Sequence, residues 1–263
     1  MNRRATASIN GLFLLITLAV NALGAFGVIN GLSQKEISDR YLTLITPSPS
    51  TFSIWSLLYL LLITSIIVMI VKKDDSYYQK AIDSITPLFR ITCILNIAWI
   101  VAFSFVLVEL SVLFIIAFVV TLALLCIKLK EDQTGKRFLL PLTFGLYTGW
   151  LFIATVVNIS AALVKLEWNG FGLAVETWAI ITLIIAVVLV FAVNLKIRNA
   201  AFPLPIAWAF FGIFQFLKSP GGFNGQFPNL QTVSLIGMAV LLVLTVFVFI
   251  QNRFTVFPAK SVQ

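Results

Sequence analysis

An all-α, polytopic bundle of transmembrane helices is the fold this sequence predicts, and three observations predict it. Of 263 residues, 60% are hydrophobic and only 11% charged, and mean hydropathy is +1.04, more apolar surface than one soluble core buries. The apolar residues fall into successive runs near the about 20 residues a helix needs to cross the hydrocarbon, where backbone groups must be satisfied internally. The basic residues are confined to short loops and sorted by side, which marks alternate crossings.

The runs place spans near residues 9–30, 52–71, 87–107, 110–128, 138–164, 175–195, 203–217 and 230–251, eight in all. The first begins after Arg3 and Arg4, and this basic start with "NALGAFG" downstream is also the pattern of a cleaved signal peptide. The apolar run continues to Ile29, which favours a retained helix. The second follows the proline-rich stretch "TPSPSTFSIWSLLYLLL". The third starts at Pro87, and Arg90, three residues on and inside its cytoplasmic end, is expected to reach towards the cytoplasmic headgroups. Glu109 marks the tight turn into the fourth, with Lys165 at the end of the fifth as its expected partner. The seventh is short, and Pro203 and Pro205 suit the first turn of a helix or a re-entrant segment. The sequence divides into residues 1–168, five helices, and 169–263, additional C-terminal helices.

Thirteen Lys and Arg, among them Arg3, Arg4, Lys72, Lys73, Arg137, Lys196 and Arg253, fall on one side, against Lys35, Arg40, Lys165 and Lys218 on the other. This bias predicts a multi-pass protein of the cell membrane with both termini cytoplasmic. Spread over loops in this way, the net charge of +8 is topological and points to no nucleic acid. Cys93 and Cys126 lie within spans as small packing residues, and with no His in the chain neither a metal site nor a required cofactor is expected. No nucleophile and base pair or dinucleotide fingerprint assembles, so no catalytic residue is assigned.

Three spans carry aligned aromatic and amide side chains. Phe52, Trp55 and Tyr59 stand at i, i+3 and i+7 on one helix face. In "NIAWIVAFSF", Asn96, Trp99 and Phe103 repeat that spacing, and in "YTGWLFIATVVN" Tyr147, Trp150, Ala154 and Asn158 extend it. An amide in hydrocarbon must find a partner, so these faces either glue helices together or converge on a pocket for a flat apolar ligand.

These stretches resemble, in the same order, the tryptophan-rich sensory protein family, also called the translocator or peripheral benzodiazepine receptor family. Phe52, Trp55, Leu58 and Tyr59 match its second-helix motif, Asn96 and Trp99 its third, and Tyr147, Trp150, Ala154 and Asn158 its fifth. The resemblance covers roughly residues 9–164. It implies a receptor or sensor that binds a porphyrin or related tetrapyrrole beneath the loop of Pro47 and Pro49, with light-dependent porphyrin degradation as a side activity. The loop Trp of the family is replaced by Ser48, and "VVNISAALVK" lacks the Tyr of its proposed sterol motif, which makes sterols the weaker ligand class. The competing expectation is a permease for a small amphipathic solute, with the C-terminal helices completing its path. The expected partners are the lipid bilayer, a small hydrophobic ligand and, as an expectation left open, a second copy in a homodimer.

Overall fold

The computed structural model describes residues 3–258. Among them run α1 (Arg3–Ala25), α2 (Gln34–Arg40), α3 (Ile54–Val71), α4 (Ser76–Ser104), α5 (Val108–Asp132), α6 (Leu139–Lys165), α7 (Val175–Ile197), α8 (Pro203–Lys218) and α9 (Pro228–Gln251). Seven are long and apolar enough to cross a membrane: all but α2 and α8. The all-helical membrane bundle is thus the observed architecture.

Five helices close a ring. α1 packs between α3 and α4, α4 against α5, α5 against α6, and α6 returns to α3. α1 and α4 are parallel, with Arg3 paired to Asp83 at one end (2.8 Å) and the Asn30 amide donating to the Ser104 carbonyl at the other (3.3 Å). The end holding Arg3 is termed basal and the opposite end distal. α1 is therefore a wall of the ring.

α4 starts eleven residues before Pro87. Asp75 caps its first turn by accepting from the Tyr77 amide (3.0 Å), and Tyr77, Tyr78, Ala81, Ile82 and Ile85 are buried at helical spacing. Pro87 sits inside the helix, where its missing N–H leaves the Asp83 carbonyl without its usual partner. Arg90, on the same helix, does not extend to headgroups. Its Nε donates to Asn10 Oδ1 of α1 (2.9 Å) and its guanidinium lies over the Phe13 ring (5.6 Å).

α7 and α8 cover the outside of α5 and α6, and α9 packs against α7 and α8. α8 has 16 residues, roughly 24 Å at 1.5 Å per residue, short of the hydrocarbon thickness. It nevertheless runs from basal to distal. The Asn199 amide just before it donates to the Pro141 carbonyl at the basal end of α6 (2.8 Å), and the Gly212 carbonyl near its distal end accepts from the Ser48 amide (3.0 Å). A short helix suffices because it is enclosed by protein, with Ile206, Phe210, Ile213 and Leu217 fully buried. The C-terminal turn closes the basal end, where the Ala200 amide donates to the Val256 carbonyl (2.9 Å) and the Asn252 amide to the Arg198 carbonyl (2.9 Å). Arg3 and Pro258, the first and last of the described residues, consequently lie on one side.

The seam that joins the two groups is a pair of glycines four residues apart on α6. A Cβ on Gly149 would stand 2.1 Å from the Phe202 carbonyl oxygen, and one on Gly145 would stand 2.3 Å from Asn199 Oδ1. Small residues at this spacing let backbones meet in a membrane, where dispersion and hydrogen bonds replace the hydrophobic drive. The Gly145-x-x-x-Gly149 pattern is visible in the sequence but does not figure in its aromatic stripes.

On the basal surface Arg137 pairs with Asp75 (2.9 Å) and covers the Tyr77 ring (5.3 Å), tying the α5–α6 loop to the start of α4. Burial alone would raise the Asp75 carboxyl, but the Tyr77 amide and Arg137 outweigh it and hold it below the usual carboxylate range.

Two outcomes are expected. Gly149→Val should destabilise the protein in detergent by about 3 kcal/mol or more, because the obstacle is backbone, whereas Ala at an exposed position of α6 such as Ile159 should change thermal stability by less than about 1 kcal/mol. Asp75→Asn keeps a capping side chain and loses the ion pair, so it should cost about 0.5 kcal/mol at neutral pH, the low value reflecting the partial exposure of the pair. Since the folded carboxyl titrates below its unfolded counterpart, that stabilisation is present above about pH 4 and lost as pH falls through the lowered value. Melting curves of both proteins between pH 7 and 3 should converge.

Candidate ligand-binding site

One layer of the ring takes a side chain from each of its five helices: Asn21 from α1, Tyr59 from α3, Asn96 from α4, Phe118 from α5 and Tyr147 from α6. The polar members form a directional chain. The Tyr59 hydroxyl donates to Asn21 Oδ1 (3.2 Å), Asn21 Nδ2 donates to Asn96 Oδ1 (2.6 Å), and Asn96 Nδ2 donates to the Tyr147 hydroxyl (3.1 Å). Asn21 Nδ2 also reaches the Thr17 carbonyl (2.8 Å). Asn96 is fully buried and Tyr147 nearly so, and Phe118 closes the layer with its ring 5.6 Å from Tyr147.

Distal to this layer is an aromatic box. Trp55 lies 5.3 Å from the Tyr59 ring and meets Tyr147 (6.4 Å) and Trp150 (6.0 Å) edge to face, while Phe52 meets Trp150 edge to face at 5.8 Å. These are the preferred geometries of aromatic pairs, each adding about 0.5–1.5 kcal/mol beyond burial. The box is graded in exposure: Trp150 is 2% exposed, Trp55 is half-buried, and Phe52 is 41% exposed. Trp150 Nε1 is buried without an acceptor among the described residues.

Not every residue of the sequence-predicted site joins it. Phe52, Trp55, Tyr59, Asn96, Tyr147 and Trp150 come together. Trp99 and Asn158 form a separate cluster between α4, α5 and α6, where the Trp99 indole donates to Asn158 Oδ1 (2.8 Å) and Asn158 Nδ2 donates to Ser111 (3.0 Å). That is interhelical bonding with each amide group satisfied. Ala154 packs half-buried against the core.

Pro47 is buried and Pro49 exposed, at the start of a tight turn (Pro49–Ser53) that leads into α3. The loop is pinned to α8. Besides the bond from the Ser48 amide to Gly212, the Ser48 hydroxyl donates to Gln215 Oε1 (3.3 Å), and the Trp208 indole donates to the Thr51 carbonyl (2.9 Å). Gly212 makes the approach feasible, since a Cβ there would fall 2.0 Å from Thr51 Oγ1. The loop thus roofs the box as a part fixed by the C-terminal helices.

Asn21, the hub of the polar chain, is absent from the sequence-based site. Its signal was available: Asn10, Thr17 and Asn21 stand at i, i+7 and i+11 in an apolar helix, the spacing read on α6, and all three are buried.

A ring of five transmembrane helices with an amide and aromatic interior, buttressed by further helices, defines a polytopic membrane protein built to hold polar groups inside hydrocarbon. The family model described as TSPO-like protein matches residues 7–248, and the chain belongs to this TSPO-like family. The match runs through α7 and α8 and into α9. No curated protein and no solved structure matches the chain.

The amide pair supports a direct test. Asn21→Leu and Asn96→Leu should each destabilise by about 1–2 kcal/mol, since each leaves the other amide unpartnered. The double variant should cost less than the sum by at least about 0.5 kcal/mol. Denaturant or thermal midpoints of the four proteins give the coupling, and strict additivity would mean the bond carries no weight.

Proposed function

We propose that this chain is a membrane receptor or sensor that takes a flat apolar or amphipathic ligand, foremost a porphyrin or related tetrapyrrole, into the aromatic box between α3 and α6. The observation that carries this reading is the buried Trp150 N–H without an acceptor, enclosed by Phe52 and Trp55. A buried donor left unpaired costs about 1–3 kcal/mol, and a ligand presenting an acceptor there removes that cost. The Tyr147 hydroxyl, one turn away, accepts from Asn96 and keeps its own proton for a second acceptor. The carboxylates of a tetrapyrrole supply acceptors, and its plane supplies the aromatic surface that Trp55 gives to Tyr147 and Trp150.

On this reading Phe52 and Trp55, the exposed members, move aside, while Trp150 and Tyr147 stay as the floor. Residues 1–168 form the ligand-binding unit, and residues 169–263 fix its roof and its outer wall. The basic bias of the loops supports an orientation in the cell membrane with both chain ends cytoplasmic.

The test is a titration of purified protein with protoporphyrin, read by the shift of the porphyrin absorption band so that loss of indole emitters does not confound it. Saturable binding is expected, weakened about 3- to 10-fold by Trp150→Phe, which removes the donor and keeps a ring, a loss of about 0.6–1.4 kcal/mol. Trp55→Phe together with Trp150→Phe should weaken it further. A band shift that grows linearly without saturation, in folded protein, would refute the proposal.

A further inference from the structure

A second cavity, of about 410 Å³, opens at the distal end of the molecule between α6, α7 and residues 43–45. None of the residues of the aromatic box lines it. Its size is that of a small-molecule site. Thr43, Ser160, Trp168, Trp178, Ala179 and Thr182 are among its walls, and it has no Asp, Glu, Lys or Arg.

The segment that frames it is under backbone strain. Glu167 (φ 52°) and Phe171 (φ 53°) adopt the left-handed region that non-glycine residues avoid, beside Gly170 (φ 61°) and Gly172 (φ 77°). The outcome of these four turns is a fixed aromatic wall. Trp178 donates its indole N–H to the Gly170 carbonyl, Trp168 lies 4.8 Å from Trp178, and Phe171 closes on Trp168 at 5.4 Å.

The polar groups of the walls indicate what is bound. Ser160 donates to the Val156 carbonyl (3.1 Å) and Thr182 to the Trp178 carbonyl (2.8 Å), so both protons are spent within their own helices and oxygen lone pairs remain. Asn169 gives its side-chain oxygen to the Phe171 amide (3.0 Å) and keeps its amide N–H groups, so the walls offer both acceptors and donors. With no charge in the walls, the cavity suits a ligand that is neutral and largely apolar.

We propose that the α6–α7 cavity is a binding site for a neutral, largely apolar, lipid-soluble small molecule, which it takes from the distal leaflet. The site is separate from the aromatic box, and its existence does not depend on what that box binds.

The probe is N-phenyl-1-naphthylamine, neutral and bearing one N–H, added to protein in phosphatidylcholine nanodiscs and followed by energy transfer from tryptophan. Partition into lipid gives a linear background, on which one saturable site per chain is expected. Filling the cavity by Ala179→Phe should weaken the saturable component at least 10-fold. Ser160→Cys blocked after purification with benzyl methanethiosulfonate should do the same in protein that is already folded, and wild-type protein treated with that reagent should retain binding, because Cys93 and Cys126 are buried. Trp55→Phe should leave the component unchanged. A purely linear response, or a saturable one that survives the blocked Ser160→Cys protein, overturns the site.

Discussion

The amide pair of Asn21 and Asn96 is the constraint around which the ring is arranged. Neither side chain can find water at that depth, so each must be answered by another helix. The 2.6 Å bond between them fixes α1 against α4, and its extensions to Tyr59 and Tyr147 fix α3 and α6 at the same level. Apolar contacts alone would leave these helices able to slide, since lipid packs against Leu as well as a neighbouring helix does. Four helices therefore share one register because four polar groups must meet in one layer. The aromatic box sits one turn distal to it, and the exposure gradient from Trp150 to Phe52 follows from that placement.

The outer helices solve a different problem by a different means. α8 approaches α6 at Gly145 and Gly149 and approaches the loop roof at Gly212, in each case close enough for backbone to meet side chain or backbone. Close approach permits the bonds from Asn199 to Pro141, Ser48 to Gly212 and Trp208 to Thr51, which a Cβ at these glycines would prevent. The roof of the box is consequently held by a helix nearly 160 residues away in sequence. A change in α7–α9 reaches the box through Ser48 and Thr51 without touching an aromatic residue of it.

The fold class and the positions of the long helices were legible because hydrocarbon allows few alternatives: apolar runs of spanning length must be helices. Helix ends were less so. α4 begins at Ser76, in a stretch of mixed polarity where Asp75 supplies a cap and the buried positions recur at helical spacing, and Pro87 is a feature of its interior. The seventh span was legible as short, while its crossing depends on enclosure by α6 and α9, a tertiary fact. In the site, periodicity aligned Phe52 with Tyr59 and Tyr147 with Trp150, side chains that lie together around Trp55. It grouped Trp99 and Asn158 with them because residues on one face of a long helix can still meet different neighbours at different depths. Asn21 was missed although its helix carries the same spacing, because an apolar first span with a basic start reads first as a topological element.

The aromatic box and the distal cavity differ in what their walls leave unanswered. In the box the unanswered group is a donor, Trp150 N–H, with the Tyr147 proton beside it. In the distal cavity Ser160 and Thr182 have given their protons to carbonyls and keep lone pairs, while Asn169 keeps amide N–H groups, so both signs are present. A buried donor that meets no acceptor costs about 1–3 kcal/mol in a medium that offers no substitute partner, roughly 5- to 150-fold in an equilibrium constant. The box is therefore the more demanding of the two in the sign of what it can accept, because shape and hydrophobicity are shared by nearly every molecule dissolved in hydrocarbon and a misplaced hydrogen bond is the feature least easily tolerated there.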